Sequence, residues 1–164
     1  MADVQWLSEA ERTTWVRLAA VLELLPGVLD AQLTRDEQLT HFEYFSLAML
    51  SEAPDQTFRM TALARRTNAT LPRLSRVISR LEGEGLVARE PCPQDRRATN
   101  VTLTQAGWDK VVQAAPGHVA TVRSTVFDPL TAAQVEQLGR ICARLVDRLD
   151  PEGLIFNRPT PSDR

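Results

Sequence analysis

Read for apolar spacing, the chain is a series of helical stripes interrupted once by a short alternating segment. Ser8 followed by Glu11 is a capping-box pattern that opens a first helix. Within it Trp15, Leu18, Leu22 and Leu25 recur at 3-4-3 spacing and make a seam for another helix. Pro26-Gly27 predicts a break or kink before Val28–Leu33 resumes the apolar pattern. Thr40 and Glu43 form a second capping box, with Leu39 and Tyr44 at hydrophobic-staple positions. The helix they open carries Phe42, Phe45, Ala48 and Met49 on one side and ends near Ala53-Pro54. FRMTALARRTNAT then predicts a helix of about two turns that stops near Thr67-Asn68.

The stretch from Thr70 to Thr104 differs in kind. At about 100° per residue, Leu71, Leu74, Val77, Ile78 and Leu81 fall within roughly 120° of arc. Arg73, Arg76 and Arg80 cluster on the other side, with Ser75 and Ser79 beside them. One face is suited to burial, and the other offers guanidinium forks that match guanine edges and phosphates. A solvated amphipathic surface helix is the plain alternative, but no acid interrupts this polar face before Glu82. Two helices joined by a three- or four-residue turn, the second with the exposed polar face, make a helix-turn-helix pattern. Gly83 and Gly85 supply a left-handed stop. Leu86–Arg89 and Ala98–Leu103 read as two strands joined by PCPQDRR, a basic tip that is either an ordinary polar hairpin turn or a wing reaching a minor groove.

Thr104 caps a further helix from about Gln105, with Gly107, Pro116 and Gly117 as weak points. Thr131 and Gln134 form a third capping box, and Val135, Leu138, Ile141, Cys142, Leu145, Val146 and Leu149 follow as a heptad-like stripe. The fold class expected is mainly α with a small β-hairpin wing. The tail over 151–164 is expected to be irregular.

Charge sharpens this picture. The chain of 164 residues has a net charge of −2, which by itself argues against nucleic acid. Yet from Arg59 to Asn100 there are nine arginines and four acids, a net +5, while the remainder carries −7. A basic segment within an acidic chain is a local electrostatic footprint. Cys92 and Cys142 are too few and too far apart for a disulfide framework or a metal knuckle; Cys142 is expected in the core and Cys92 exposed in the turn. No apolar run approaches the ~18 residues of a membrane span, and the N-terminus lacks the basic start and apolar core of a signal peptide, so a cytoplasmic location is expected.

RMTALARRTNATLPRLSRVISRLEGEGLVAREPCPQDRRATNVTLTQAG resembles the multiple antibiotic resistance regulator (MarR) family. The features that carry the likeness are RLEGEGLV closing the second helix, Asp95–Arg97 at the wing tip, and VTLTQAG at Val101–Gly107. The resemblance implies a single domain over 1–150: a winged helix-turn-helix over about 40–104, and dimerisation helices over about 8–33 and 105–149. It further implies a homodimeric, sequence-specific regulator of transcription, most often a repressor, on an inverted repeat of roughly 16–20 base pairs of double-stranded DNA. By position, Thr70, Arg73, Ser75, Arg76, Ser79 and Arg80 face the major groove and its phosphates. Thr70 and Arg73 are placed to read bases, and Arg80 to contact phosphate. In the wing, Asp95 holds Arg97 for the minor groove and Arg96 lies against phosphate. Arg59 and Arg65 are secondary phosphate candidates.

The reactive first-helix cysteine of the family's hydroperoxide sensors is missing here, and Cys92 does not replace it by position. The family's habit of binding a small aromatic effector directs attention to Trp15, His41, Phe45 and Trp108, each of which is also explained as core or interface. His41 and His118 alone do not suggest a metal site, and no cofactor is expected. A helical protein-interaction module that has lost DNA binding is the competing function. An enzyme is not expected, because no phosphate-cradling glycine loop, metal-spaced histidine cluster or nucleophile elbow is present.

Overall fold

The computed structural model of the chain describes residues 4–155, apart from Gln94 and the side chain of Arg96. Six helices and three strands follow in the order α1 (Glu9–Glu37), α2 (His41–Ser51), β1 (Thr57–Arg59), α3 (Met60–Arg66), α4 (Leu71–Gly83), β2 (Val87–Cys92), β3 (Asp95–Leu103), α5 (Gln105–Val122) and α6 (Ala132–Leu149). A short π-helical turn, Arg123–Phe127, links α5 towards α6. All three capping boxes form as read from the sequence, at Ser8/Glu11, Thr40/Glu43 and Thr131/Gln134. Thr70 and Thr104 cap α4 and α5 with their hydroxyl oxygens.

Local departures from the expected elements have identifiable causes. Pro26 does not end the first helix; α1 runs on through it to Glu37. A proline inside a helix loses the bond to the carbonyl four residues earlier and crowds that carbonyl, a local cost that the long helix on either side absorbs here. Gly83 is the last residue of α4 rather than a left-handed stop, and it is Gly85 that adopts φ 74°. Phe58 and Arg59, expected to begin a helix, instead join Thr57 in a strand that pairs with Asn100–Thr102, so the sheet has three antiparallel strands in the order β1-β3-β2. Three residues are too few to show a strand by alternation; the partner strand decides the matter. The hairpin is also longer than expected. Pro91, Cys92 and Asp95–Arg97 lie within strands, with Pro93 in the turn that follows β2.

The core gathers beneath α4. Leu33 of α1, Leu47 and Leu50 of α2, Leu63 of α3, Leu74, Ile78 and Leu81 of α4, and Val101 of β3 are each fully buried. On α2 the deeply buried face is Tyr44, Leu47 and Leu50, with Phe42 and Met49 packed at its margin. Leu71, expected on the buried face of α4, is 45% exposed because it occupies the first turn, ahead of the packed part of the helix. The two cysteines exchange places relative to expectation. Cys92 is buried at the hairpin, and Cys142 is exposed, because no residue of α6 is buried in this chain. The stripe of α6 leaves Ile141, Leu145 and Leu149 uncovered, and the first two-thirds of α1 exposes Trp15, Val16, Val21, Leu22 and Leu24. No helix among the described residues is long and apolar enough to cross a membrane.

Gly107, expected as a weak point of α5, is a packing requirement. A Cβ at this position would lie 2.1 Å from the Leu86 carbonyl oxygen and 2.6 Å from Leu103 Cδ1. The carbonyl is not free to retreat, since it accepts the Thr104 N–H at 3.1 Å. Gly107→Ala is therefore expected to destabilise the fold by about 1–3 kcal/mol. Gly83→Ala, with open space around it, should be neutral or slightly stabilising. Urea unfolding of the two variants checks this; equal midpoints would refute the close approach.

Candidate nucleic-acid interface

The turn between α3 and α4 is tied from within. Thr67 is buried and its hydroxyl donates to the Leu63 carbonyl at 2.8 Å, while the Ala69 N–H reaches Ala64 at 2.9 Å. Asn68 takes the left-handed conformation, φ 47°, that reverses the chain. Thr70 then caps α4 by accepting the Arg73 N–H, and Pro72 in the first turn starts the helix without wasting a donor. With Leu74, Ile78 and Leu81 buried, the opposite side of α4 is left outward: Thr70, Arg73, Arg76, Ser79 and Arg80 are exposed and Ser75 is half-buried.

The structure divides the arginines that the sequence groups together. Arg76 is exposed and carries no ion pair among the described residues. Arg73 stacks its guanidinium over the Phe42 ring, 4.2 Å from the centroid, which orients the fork while leaving the residue exposed. Arg66 lies over Phe58 at 5.6 Å. Arg89 is committed to Glu82, its Nε donating to Oε2 at 2.9 Å and its backbone N–H to Oε1 at 3.2 Å, which fastens β2 to the end of α4. Arg89 is the first cause of the lowering of the Glu82 carboxyl below its ordinary pKa. Arg80, expected from the sequence to reach phosphate, has its guanidinium engaged by Glu43, Glu84 and the Gln38 carbonyl. Arg59 and Arg65 are exposed.

In the wing, Asp95 Oδ1 accepts the backbone N–H of Arg97 at 3.1 Å. The acid thus shapes the strand that carries the arginine. Both residues are exposed, and the Arg96 side chain lies outside the described residues. Phe42 and Glu43 are the participants that sequence reading missed. Glu43 was visible only as a capping residue, and nothing in the spacing of Phe42 and Arg73 signals a stack.

Four rings gather where α2 meets α5. His41 and His118 stack with centroids 6.0 Å apart, Tyr44 lies 4.7 Å from His118, and Phe45 lies 6.5 Å from His41. Of the aromatic candidates, His41 and Phe45 are thus brought together, while Trp15 and Trp108 are exposed at 55% and 37%. Among the described residues no three His, Cys, Asp or Glu side chains are grouped to hold a metal ion.

A family model described as the MarR family matches residues 39–99. Among solved structures, the chain is similar to Sco3205 of Streptomyces coelicolor, a MarR family transcriptional regulator in complex with DNA. The two share 38% identity over 96% of this chain and 100% of that one, with a TM-score of 0.86. AbsC, a MarR family transcriptional regulator of the same organism, is 34% identical over 89% of this chain and 98% of that one, with a TM-score of 0.82. BpsR of Bordetella bronchiseptica, whose DNA binding is regulated by 6-hydroxynicotinic acid, shares the fold at 22% identity over 82% of this chain and 99% of that one, with a TM-score of 0.72.

The histidine pair yields a pH prediction. Burial is the main cause holding both imidazoles below their ordinary pKa; Asp30 opposes this at His41, and His41 adds to it at His118. Below the ordinary value of ~6.5 the unfolded chain therefore binds more protons than the folded one. The stability present above that value should decline as pH falls through it. Thermal midpoints between pH 7.5 and 5.5 should drop for the wild type and less for the His41→Gln/His118→Gln double variant. Parallel curves would show that other groups govern the range.

Proposed function

Since the chain belongs to the MarR family of transcriptional regulators, we propose that it acts as a homodimer on double-stranded DNA, repressing transcription from an inverted-repeat operator until a small aromatic effector releases it. The observation that carries this reading is that Thr70, Arg73, Arg76 and Ser79 are exposed along α4 opposite the fully buried Leu74, Ile78 and Leu81, with Ser75 half-buried beside them and Asp95 and Arg97 exposed on the wing. The 38% identical Sco3205, in complex with DNA, supports the same partner for this chain. Arginine and backbone amides neutralise phosphate and supply affinity; helix side chains at base edges choose the sequence. Thr70 and Arg73, at the start of α4, are the base readers. Arg76, Arg96, Arg59 and Arg65 meet phosphate, and Arg97 enters the minor groove.

Dimerisation is supported by the uncovered stripes. A monomer rarely leaves extended apolar surface facing water. Here Ile141, Leu145 and Leu149 of α6 are exposed, and Leu18, Val21, Leu24, Leu25 and Val28 of α1 line an apolar groove with Val126, Leu130 and Leu138. The division that follows assigns about 40–104 to DNA reading, and about 8–33 with 105–149 to pairing. A two-fold axis then sets the recognition helices about one turn of DNA apart, or roughly 34–36 Å.

Selection from a randomised duplex pool is expected to enrich an inverted repeat, with log affinity falling linearly and steeply against log salt. If nothing is enriched and salt dependence is shallow, the basic face serves a protein partner instead. On the selected site, Arg73→Ala should cost about 1–3 kcal/mol and relax preference at one base pair; a uniform loss across sequences would make it a phosphate contact. Arg97→Ala should weaken binding with the dimer intact, and unchanged affinity would remove the wing assignment. Ile141→Asp with Leu145→Asp should convert a sedimenting dimer to monomer; a persistent dimer would place the pairing surface elsewhere.

A further inference from the structure

Arg80 lies on the polar face of α4 with its side chain half-exposed, yet its guanidinium is engaged by three groups of the protein itself. Nη1 meets Glu43 Oε1 at 3.0 Å, Nη2 donates to the Gln38 carbonyl at 3.0 Å, and Nε donates to Glu84 Oε1 at 3.2 Å. Each of these partners has a structural position of its own. Gln38 is the left-handed cap that ends α1, its N–H bonding back to Thr34. Glu43 closes the capping box of α2, with Oε2 accepting the Thr40 N–H at 2.7 Å, and its side chain is only 4% exposed. Glu84 caps the C-terminus of α4 itself. One side chain therefore bridges the end of α1, the start of α2 and the last turn of α4.

A buried carboxylate tolerates loss of its cation poorly, so this joint is not easily exchanged for a phosphate contact. The end of α1 is separately braced to α5, with Lys110 Nζ 2.8 Å from Glu37 Oε2 and Gln113 bonding the same oxygen at 2.9 Å. The α1–α5 frame is thereby braced without Arg80, while Arg80 adds a polar tie from α4 to the end of α1 beside the apolar packing of Leu33 on the α4 stripe. On the dimeric reading proposed above, α1 lies in the pairing frame and α4 in the DNA. We propose that Arg80, acting through Glu43 and Gln38, is a positioning residue that sets the separation of the two recognition helices and hence the half-site spacing the dimer accepts. It contributes to specificity without touching DNA.

The test uses the selected inverted repeat with its half-sites moved by −1, 0, +1 and +2 base pairs, titrated at several salt concentrations. Arg80→Ala and Glu43→Gln should each weaken binding to the best-spaced site by about 10-fold, within the usual range of site coupling. Their combination should be no worse than either alone, because both remove one shared interaction. The spacing profile should flatten while the salt slope stays at the wild-type value. Arg80→Lys keeps the charge but cannot reproduce the planar fork that spans Glu43 and Gln38, and it should behave like Arg80→Ala. Arg35→Ala, which removes an exposed charge near the same corner, should leave the profile sharp.

The opposite pattern overturns the inference. A phosphate contact would lower the salt slope by about 0.9 in Arg80→Ala, keep the profile sharp, be rescued by lysine, and leave Glu43→Gln unweakened. A purely structural contribution would lower the thermal midpoint with the spacing preference intact, and that too refutes positioning. If the wild type itself shows no dependence on spacing, it is the dimeric reading that fails, and this inference with it.

Discussion

A helix that leaves its polar side outward has to be held firmly by its apolar side and by the few side chains that reach back to the protein. Everything else in this chain answers to that constraint at α4. Leu74, Ile78 and Leu81 are fully buried, and burial of a leucine-sized side chain contributes roughly 1.5–3 kcal/mol. Those residues are met from below by Leu33, Leu47, Leu50, Leu63 and Val101. Four separate elements thus converge on one stripe, and the polar stripe opposite is left outward by the geometry of the helix alone. The tight Thr67–Thr70 turn and the Arg89–Glu82 link then fix the two ends, one to α3 and the other to the hairpin.

Charge is distributed by the same logic. A cluster of arginines on an unsupported surface would repel itself and wander among rotamers. Here the aromatic rings of Phe42 and Phe58 take Arg73 and Arg66, and the carboxylates of Glu82 and Glu43 take Arg89 and Arg80. Arg76 remains available at the centre of the face. The basic segment is therefore partly a framework and partly a binding surface. Net charge does not distinguish the two; only the positions of the acids and rings do.

The apolar surface on α1 and α6 has the converse character. It is patterned as strongly as the core, yet the chain folded alone does not cover it. In the MarR-family reading this is surface reserved for a second copy. The joint at Gln38, Glu43 and Arg80 then lies where the reserved surface ends and the DNA-reading body begins. The stacked His41–His118 pair joins α2 to α5, so these two imidazoles belong to the packing of the helices and not to the arginine-bearing helix α4.

By itself the sequence determined the elements whose signals are local. Capping boxes act within four residues, and all three formed; the 3.6-residue stripe of α4 and the turn before it likewise depend on near neighbours. The MarR likeness in RLEGEGLV and the wing tip extended that reading to the fold and the family. What only the tertiary structure decided is whatever depends on a distant partner. Strand β1 exists because β3 runs beside it, and Gly107 is required because Leu86 approaches it. The two cysteines changed places because burial is a property of what packs against a stripe and not of the stripe. Arg80 is the clearest case. Helical periodicity placed it correctly on the outer face, but its guanidinium reaches back some forty residues along the chain, to Gln38 and Glu43. A long side chain chooses among partners by distance in space, and spacing in sequence carries no record of that distance.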